Sequence, residues 1–140
     1  MAEAKTQMEK PAHGTFCWME LSSENVEACK KFYGELFGWN LKQSNAVPGF
    51  EYTEFGVGEE RIGGMFQITD ECREAAQTPM KSHWMSYVAV DDVDAAATKV
   101  FELGGKICVP PMDIPNVGRF CVVDDPSGAT LSLLTLKGAS

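Results

Sequence analysis

Histidine is almost missing from this chain. His13 and His83 are the two copies among 140 residues, so one copy of the chain cannot assemble a histidine-rich metal centre. The five cysteines (Cys17, Cys29, Cys72, Cys108 and Cys121) are odd in number and contain no C-x-x-C pair. That favours reduced thiols in a cytoplasmic protein over a disulfide framework or a zinc knuckle. Basic residues are few, 12 against 20 acidic, and the net charge is −8 with no Lys/Arg cluster. A phosphate-seeking surface is therefore absent, and neither nucleic acid nor an anionic membrane is an expected partner. No apolar run approaches the ~20 residues of a membrane span. The opening MAEAKTQMEKPAHG lacks the apolar core of a secretory signal. Nucleophile and nucleotide motifs are missing too: no Ser-x-x-Lys, Gly-x-Ser-x-Gly, Walker or dinucleotide fingerprint occurs. The glycines at Gly56, Gly58, Gly63 and Gly64 precede no helix and read as hairpin glycines.

What is present is an ordinary globular balance, 44% apolar and 23% charged. The length suits one domain or two half-domains sharing a core. A polar, flexible leader is expected over 1–12. From Gly14 to Leu21 apolar residues fill both alternating sets, which predicts a strand covered on both faces, with Phe16, Trp18 and Glu20 on one side and Cys17, Met19 and Leu21 on the other. Ser22 and Ser23 offer N-caps to a helix lined by Val26, Cys29, Tyr33 and Leu36 and stopped by Gly38. Three short strands follow, near 39–42, 50–57 and 61–68, with Gly63-Gly64 marking a bulge or a close backbone approach. Residues 69–81 read as a polar connector with one helical turn.

The same order then recurs. A strand is expected over 83–90, and a helix capped by Asp91 or Asp92 and lined by Val93, Ala96, Ala97, Val100 and Leu103 follows it. A short strand over 106–109, a Pro110-Pro111 loop, a strand over 118–124, the Asp125-Pro126-Ser127-Gly128 turn and a last strand over 129–137 complete it. At an offset of 67, Val26 falls on Val93, Ala28 on Ala95, Glu35 on Glu102, Leu36 on Leu103 and Gly38 on Gly105. The expected organisation is α+β: one β-α-β-β-β module over 13–68 and a second over 82–138.

The segments FYGELFGW (Phe32–Trp39), AVDDVDAA (Ala89–Ala96), ELGG (Glu102–Gly105) and DDPSGATLSLL (Asp124–Leu134) stand in the order seen in the glyoxalase/bleomycin-resistance/extradiol-dioxygenase group, the vicinal oxygen chelate superfamily. The GTFxWxEL opening and the PPMDIPxVGRF loop (Pro110–Phe120) most resemble its glyoxalase-like members. The resemblance implies that each module curls into half a barrel, that the pair encloses a ligand cleft, and that the protein is a homodimer. Metal enzymes of the group hold a divalent ion at four inward positions. Carried over one by one, these become Trp18, Gly63, Met85 and Ser132. Indole has no in-plane lone pair, glycine has no side chain, a thioether is soft, and a neutral serine is a poor ligand. The resemblance thus implies the fold and a small aromatic or cationic ligand in the cleft, with no metal cofactor, as in bleomycin-resistance-type members.

The residues expected to line that cleft are Phe16, Trp18, Glu20, Met85, Tyr87, Arg119 and Ser132; the aromatic ones, with Tyr52, fit a flat ligand or a filled core equally well. Glu20 lies in an apolar strand. Either it ends the strand in water or it needs a partner such as a cationic ligand, Arg61 or Arg119. Arg119 either clamps a carboxylate or pairs with Asp113 or Asp124 at the surface. The alternative reading is a lyase, isomerase or dioxygenase whose displaced divalent metal uses His83 and Glu20, with His13 assisting. His83 shares a face with Met85 and Tyr87, or else sits at the strand mouth against a loop; His13 is otherwise solvated. Cys17 and Cys121 read as buried, inert thiols.

Overall fold

The structure, a computed structural model, describes residues 11–76 and 80–137. The leader expected over 1–12 thus lies outside the described residues except for Pro11 and Ala12, as does Thr78-Pro79 of the connector. The fold is α+β. Its elements are β1 (Phe16–Ser23), α1 (Val26–Phe37), β2 (Asn40–Ser44), β3 (Tyr52–Val57), β4 (Glu60–Gln67), α2 (Asp70–Ala76), β5 (His83–Ala89), α3 (Val93–Val100), β6 (Lys106–Ile114), β7 (Gly118–Asp124) and β8 (Thr130–Leu136). None of the described helices is long and apolar enough to cross a membrane. The described residues form two compact units: one within Met19–Trp84, and one that joins 11–18 to 85–137.

In the unit Met19–Trp84 the strand order is β2-β3-β4-β1. β4 runs antiparallel to β3 and parallel to β1. Leu21, Phe55 and Met65 are buried as one cluster, with Val26, Cys29 and Tyr33 of α1 packed against it. Trp39 stacks on Phe55 at 4.3 Å. Gly38 adopts φ 73 and returns its N–H to the Gly34 carbonyl, which ends α1 and delivers Trp39 to that stack. The cap at the other end is Asn25, whose side chain accepts from the Ala28 N–H, and not Ser22 or Ser23, which are buried strand residues. Gln67 adds a second cap across the sheet. Its side-chain oxygen accepts from the Val26 N–H, and its side-chain nitrogen donates to the Glu24 carbonyl. Leu36 is 58% exposed and lies outside the set of helix residues, Val26, Cys29 and Tyr33, that pack on the cluster. The β1 strand is fully buried only at Leu21–Ser23 and half-buried at Cys17, Trp18 and Glu20; Phe16 is 70% exposed.

The other unit repeats the plan, in the order β5-β8-β7-β6, with β8 parallel to β5 and antiparallel to β7. Val93 of α3 is buried with Cys121 and Val123, and Ala97, Val100, Leu131 and Leu133 close around them. Asp92 caps α3 by accepting from the Asp94 and Ala95 N–H groups. Leu103 is 73% exposed, because α3 ends at Val100 and the chain turns before Leu103 can face the sheet. Pro110-Pro111 makes no loop. β6 runs through it as the last strand in the order, with register shifts between Ile107 and Val109 and between Val109 and Met112. An edge strand tolerates residues that cannot donate to a ladder. The connector carries a two-turn helix, α2, longer than the single turn expected.

Candidate ligand-binding site

Strand alternation decides which side chains leave the helix-covered face. In the unit Met19–Trp84, Leu21, Met65 and Thr53 are Cα partners across β1, β4 and β3 and lie beneath α1. One residue away, Glu20, Gly64 and Glu54 form the next row, which faces away from the helix. Gly64 leaves that row open at its centre. The Tyr52 ring lies there, so close that a Cβ on Gly64 would stand 2.2 Å from its hydroxyl and from Cζ. The hydroxyl donates to Oε2 of Glu20 at 2.9 Å. Phe50 and Phe66 complete a ring cluster around Tyr52, with centroids 6.2 and 6.3 Å from it and 5.3 Å from each other. Glu20, Tyr52, Glu54 and Phe66 are half-buried, and Phe50 is exposed.

Glu20 therefore is not a strand-end carboxylate in water, and the sequence had not paired it with Tyr52. Neither arginine weighed for it makes a described contact with it. Arg61 directs a nitrogen to the Glu54 carbonyl at 3.5 Å. Arg119 belongs to the other unit, where Nε and Nη2 grip both oxygens of Asp94 at 2.8 and 3.1 Å and Nη1 meets Asp113 at 3.1 Å. The guanidinium holds the Asp94 carboxyl below the usual carboxylate range, and Asp94 and Asp113 raise the arginine in turn. Arg119 thus clamps carboxylates of its own chain. Asp113 was legible as a neighbour in sequence; Asp94 was not, because only packing brings the start of α3 to β7.

In that unit Ser132 is a Cα partner of Tyr87 and of Val122, on the sheet face away from α3. It is 1% exposed, and its Oγ has no hydrogen-bond partner among the described residues. Tyr87 is buried, and Trp18 and Met85 are half-buried. The register also revises one superfamily position. Glu20 occupies the place of Tyr87, so the mate of Ser132 is Gly64, the partner of Glu20, and not Gly63. A Cβ on Gly63 would point to the helix side, 2.4 Å from Cζ of Phe55. The four positions become Trp18, Gly64, Met85 and Ser132. Their donor set does not fit a divalent ion: a buried neutral hydroxyl is the one hard donor among them. No group of three His, Cys, Asp or Glu suited to a metal occurs among the described residues.

The histidines sit elsewhere. His83 is exposed, with Nδ1 2.7 Å from the Lys81 carbonyl, so that nitrogen carries the proton and donates. His13 accepts the Asp91 N–H at Nδ1, 2.9 Å away, which makes it a tethered surface residue and not a loose one. Three of the thiols are poor nucleophiles: burial raises Cys17 and Cys121, and burial followed by the Asp124 carboxylate raises Cys108.

The sequence matches the Glyoxalase/Bleomycin resistance protein/Dioxygenase superfamily over residues 15–133. It is 36% identical over 121 residues to "Putative glyoxylase CFP32" of Mycobacterium tuberculosis, covering 86% of this chain and 44% of that protein. It is 30% identical over 139 residues to "Anthracycline biosynthesis protein DnrV" of Streptomyces peucetius, covering 90% and 48%. The chain thus spans about half the length of these curated relatives. Among solved structures, methylmalonyl-CoA epimerase of Mycobacterium tuberculosis superposes with a TM-score of 0.63 at 12% identity, covering 95% of each chain. At that identity the likeness concerns the fold.

Proposed function

Because the chain belongs to the Glyoxalase/Bleomycin resistance protein/Dioxygenase superfamily, we propose that it is a glyoxalase-like protein that binds a small aromatic or cationic molecule without a metal at the superfamily's four ligand positions. The observation that carries this reading is the donor set itself: Trp18, Gly64, Met85 and Ser132. The aromatic side chains on the helix-free sheet faces support it, because they offer flat apolar surface beside a few polar groups. The reading takes the protein as a cytoplasmic homodimer with no resident cofactor. It assigns no catalytic residue, since Glu20 is engaged with Tyr52 and His83 with Lys81.

The test uses untagged protein, elemental analysis and tryptophan fluorescence. Metal well below one equivalent, together with quenching by an aromatic or cationic compound in chelator-treated protein, is the expected result. Near-stoichiometric Zn, Ni, Fe or Mn that disappears in His83→Ala would instead establish the displaced metal site of a lyase, isomerase or dioxygenase.

A further inference from the structure

We infer that the helix-free face of the unit Met19–Trp84 is a site for an organic ammonium ion carried on a flat apolar body, with Glu20 as its charge partner and the Tyr52–Phe50–Phe66 rings as its platform. The inference rests on the proposed binding function and names the ligand chemistry of one of its surfaces.

Three observations on one patch converge. Glu20 and Glu54 flank Gly64 in a single row, so two carboxylates share the face on either side of a position that the Tyr52 ring fills. Gly64 lets the Tyr52 ring approach the strand closely, and the ring hydroxyl donates to Oε2 of Glu20 at 2.9 Å. The hydroxyl orients the carboxylate. Phe50 and Phe66 lie at 28° and 24° to Tyr52 and at 52° to each other, so two tilted phenyl rings flank the tyrosine ring beside that carboxylate.

Carboxylates and ring faces select the same ligand. Both attract a cation, one by charge and the other by its quadrupole, and both disfavour an anion. Partial burial strengthens the charge term relative to open water, while the exposed Phe50 keeps the patch reachable. A neutral aromatic compound gains the stacking alone, and an inorganic cation gains the charge alone. An aromatic amine gains both.

The test compares phenethylamine, phenethyl alcohol and hydrocinnamate by NMR titration of the full chain, reading the ring signals of Phe50, Tyr52 and Phe66. Phenethylamine should bind at least about tenfold more tightly than the alcohol, and hydrocinnamate more weakly than either. Glu20→Gln keeps the shape and the hydrogen-bond acceptor for Tyr52. It should weaken the amine by about ten- to a hundredfold, the loss of one charge-assisted bond, and leave the alcohol unchanged. Glu54→Gln, a second variant in case the first folds poorly, should weaken the amine severalfold. The inference is overturned if the amine does not bind, if the alcohol binds as tightly, or if both variants fold and retain the amine at full affinity. Metal content measured on the same samples is an independent readout. Amine selectivity lost in Glu20→Gln supports this site at any metal content, whereas stoichiometric metal counts against the metal-independent reading alone.

Discussion

A methyl group added at Gly63 and one added at Gly64 should do different kinds of damage. At 63 the new Cβ would stand 2.2 Å from the Met19 carbonyl oxygen and 2.4 Å from Cζ of Phe55. The first of these is backbone, in the pair where the β1–β4 ladder begins. Either that ladder opens or Phe55 leaves its stack on Trp39. Overpacking of this kind costs about 1–3 kcal/mol, and disturbing an aromatic pair adds about 0.5–1.5 kcal/mol. The smaller unfolded-state entropy of alanine returns about 0.4–1 kcal/mol. Gly63→Ala should therefore destabilise by about 2 kcal/mol net, a fall in Tm of roughly 6–8 °C for a domain of this size. At 64 the clash is with the Tyr52 ring, a side chain that can swing aside. The cost should be about 1 kcal/mol, but the ring would leave Glu20 and phenethylamine affinity should drop. Thermal melts followed by circular dichroism, with the NMR titration alongside, measure both. A Gly63→Ala protein melting within about 1 °C of the parent, or a Gly64→Ala protein less stable than Gly63→Ala, would falsify the register and the assignment of faces.

Removing the helix caps is a second test: Asn25→Ala and Asp92→Ala should each cost about 1 kcal/mol, with Asp92 the larger because it accepts two N–H groups to the one of Asn25. Urea titration checks the order, and equal stability of both variants with the parent rules it out. Acid sensitivity is a third. Asp94, Asp124 and Asp125 are all held below the usual carboxylate range, chiefly by hydrogen bonds from Arg119, Thr130 and Ser127 respectively. Their contribution is complete above the unfolded value of about 3.9 and is lost as pH falls through the lower folded values. Tm should stay flat from neutrality to about pH 5 and fall below about pH 4, and Asp94→Asn should flatten that fall. A Tm that rises on acidification contradicts the pairing.

Much of this protein is local in origin. The order of strands and helices, Gly38 as the stop of α1, Asp92 as a cap, the Asp125 turn and the repeat at an offset of 67 all follow from residue chemistry acting over a few positions. The residue types at the positions carried over from the superfamily, Trp18, Met85 and Ser132 among them, are likewise read from the sequence alone. Strand neighbours are not local. That β4 lies between β3 and β1 cannot be read from alternation, which assigns two faces to every strand and names no neighbour. Yet this order puts Gly64 beside Glu20, brings Tyr52 over the gap and moves the position from Gly63 to Gly64. Phe16, Leu36 and Leu103 are exposed where alternation and helical spacing predict burial, for a related reason: an apolar residue is buried only where other elements cover it. The order of strands and helices is what the sequence by itself determined, because each element follows from residue chemistry over a few positions. Which charge meets which partner, Glu20 with Tyr52 and Arg119 with Asp94, was decided by tertiary packing, because a hydrogen bond needs atoms within about 3 Å and only the folded sheet brings residues so distant in sequence that close.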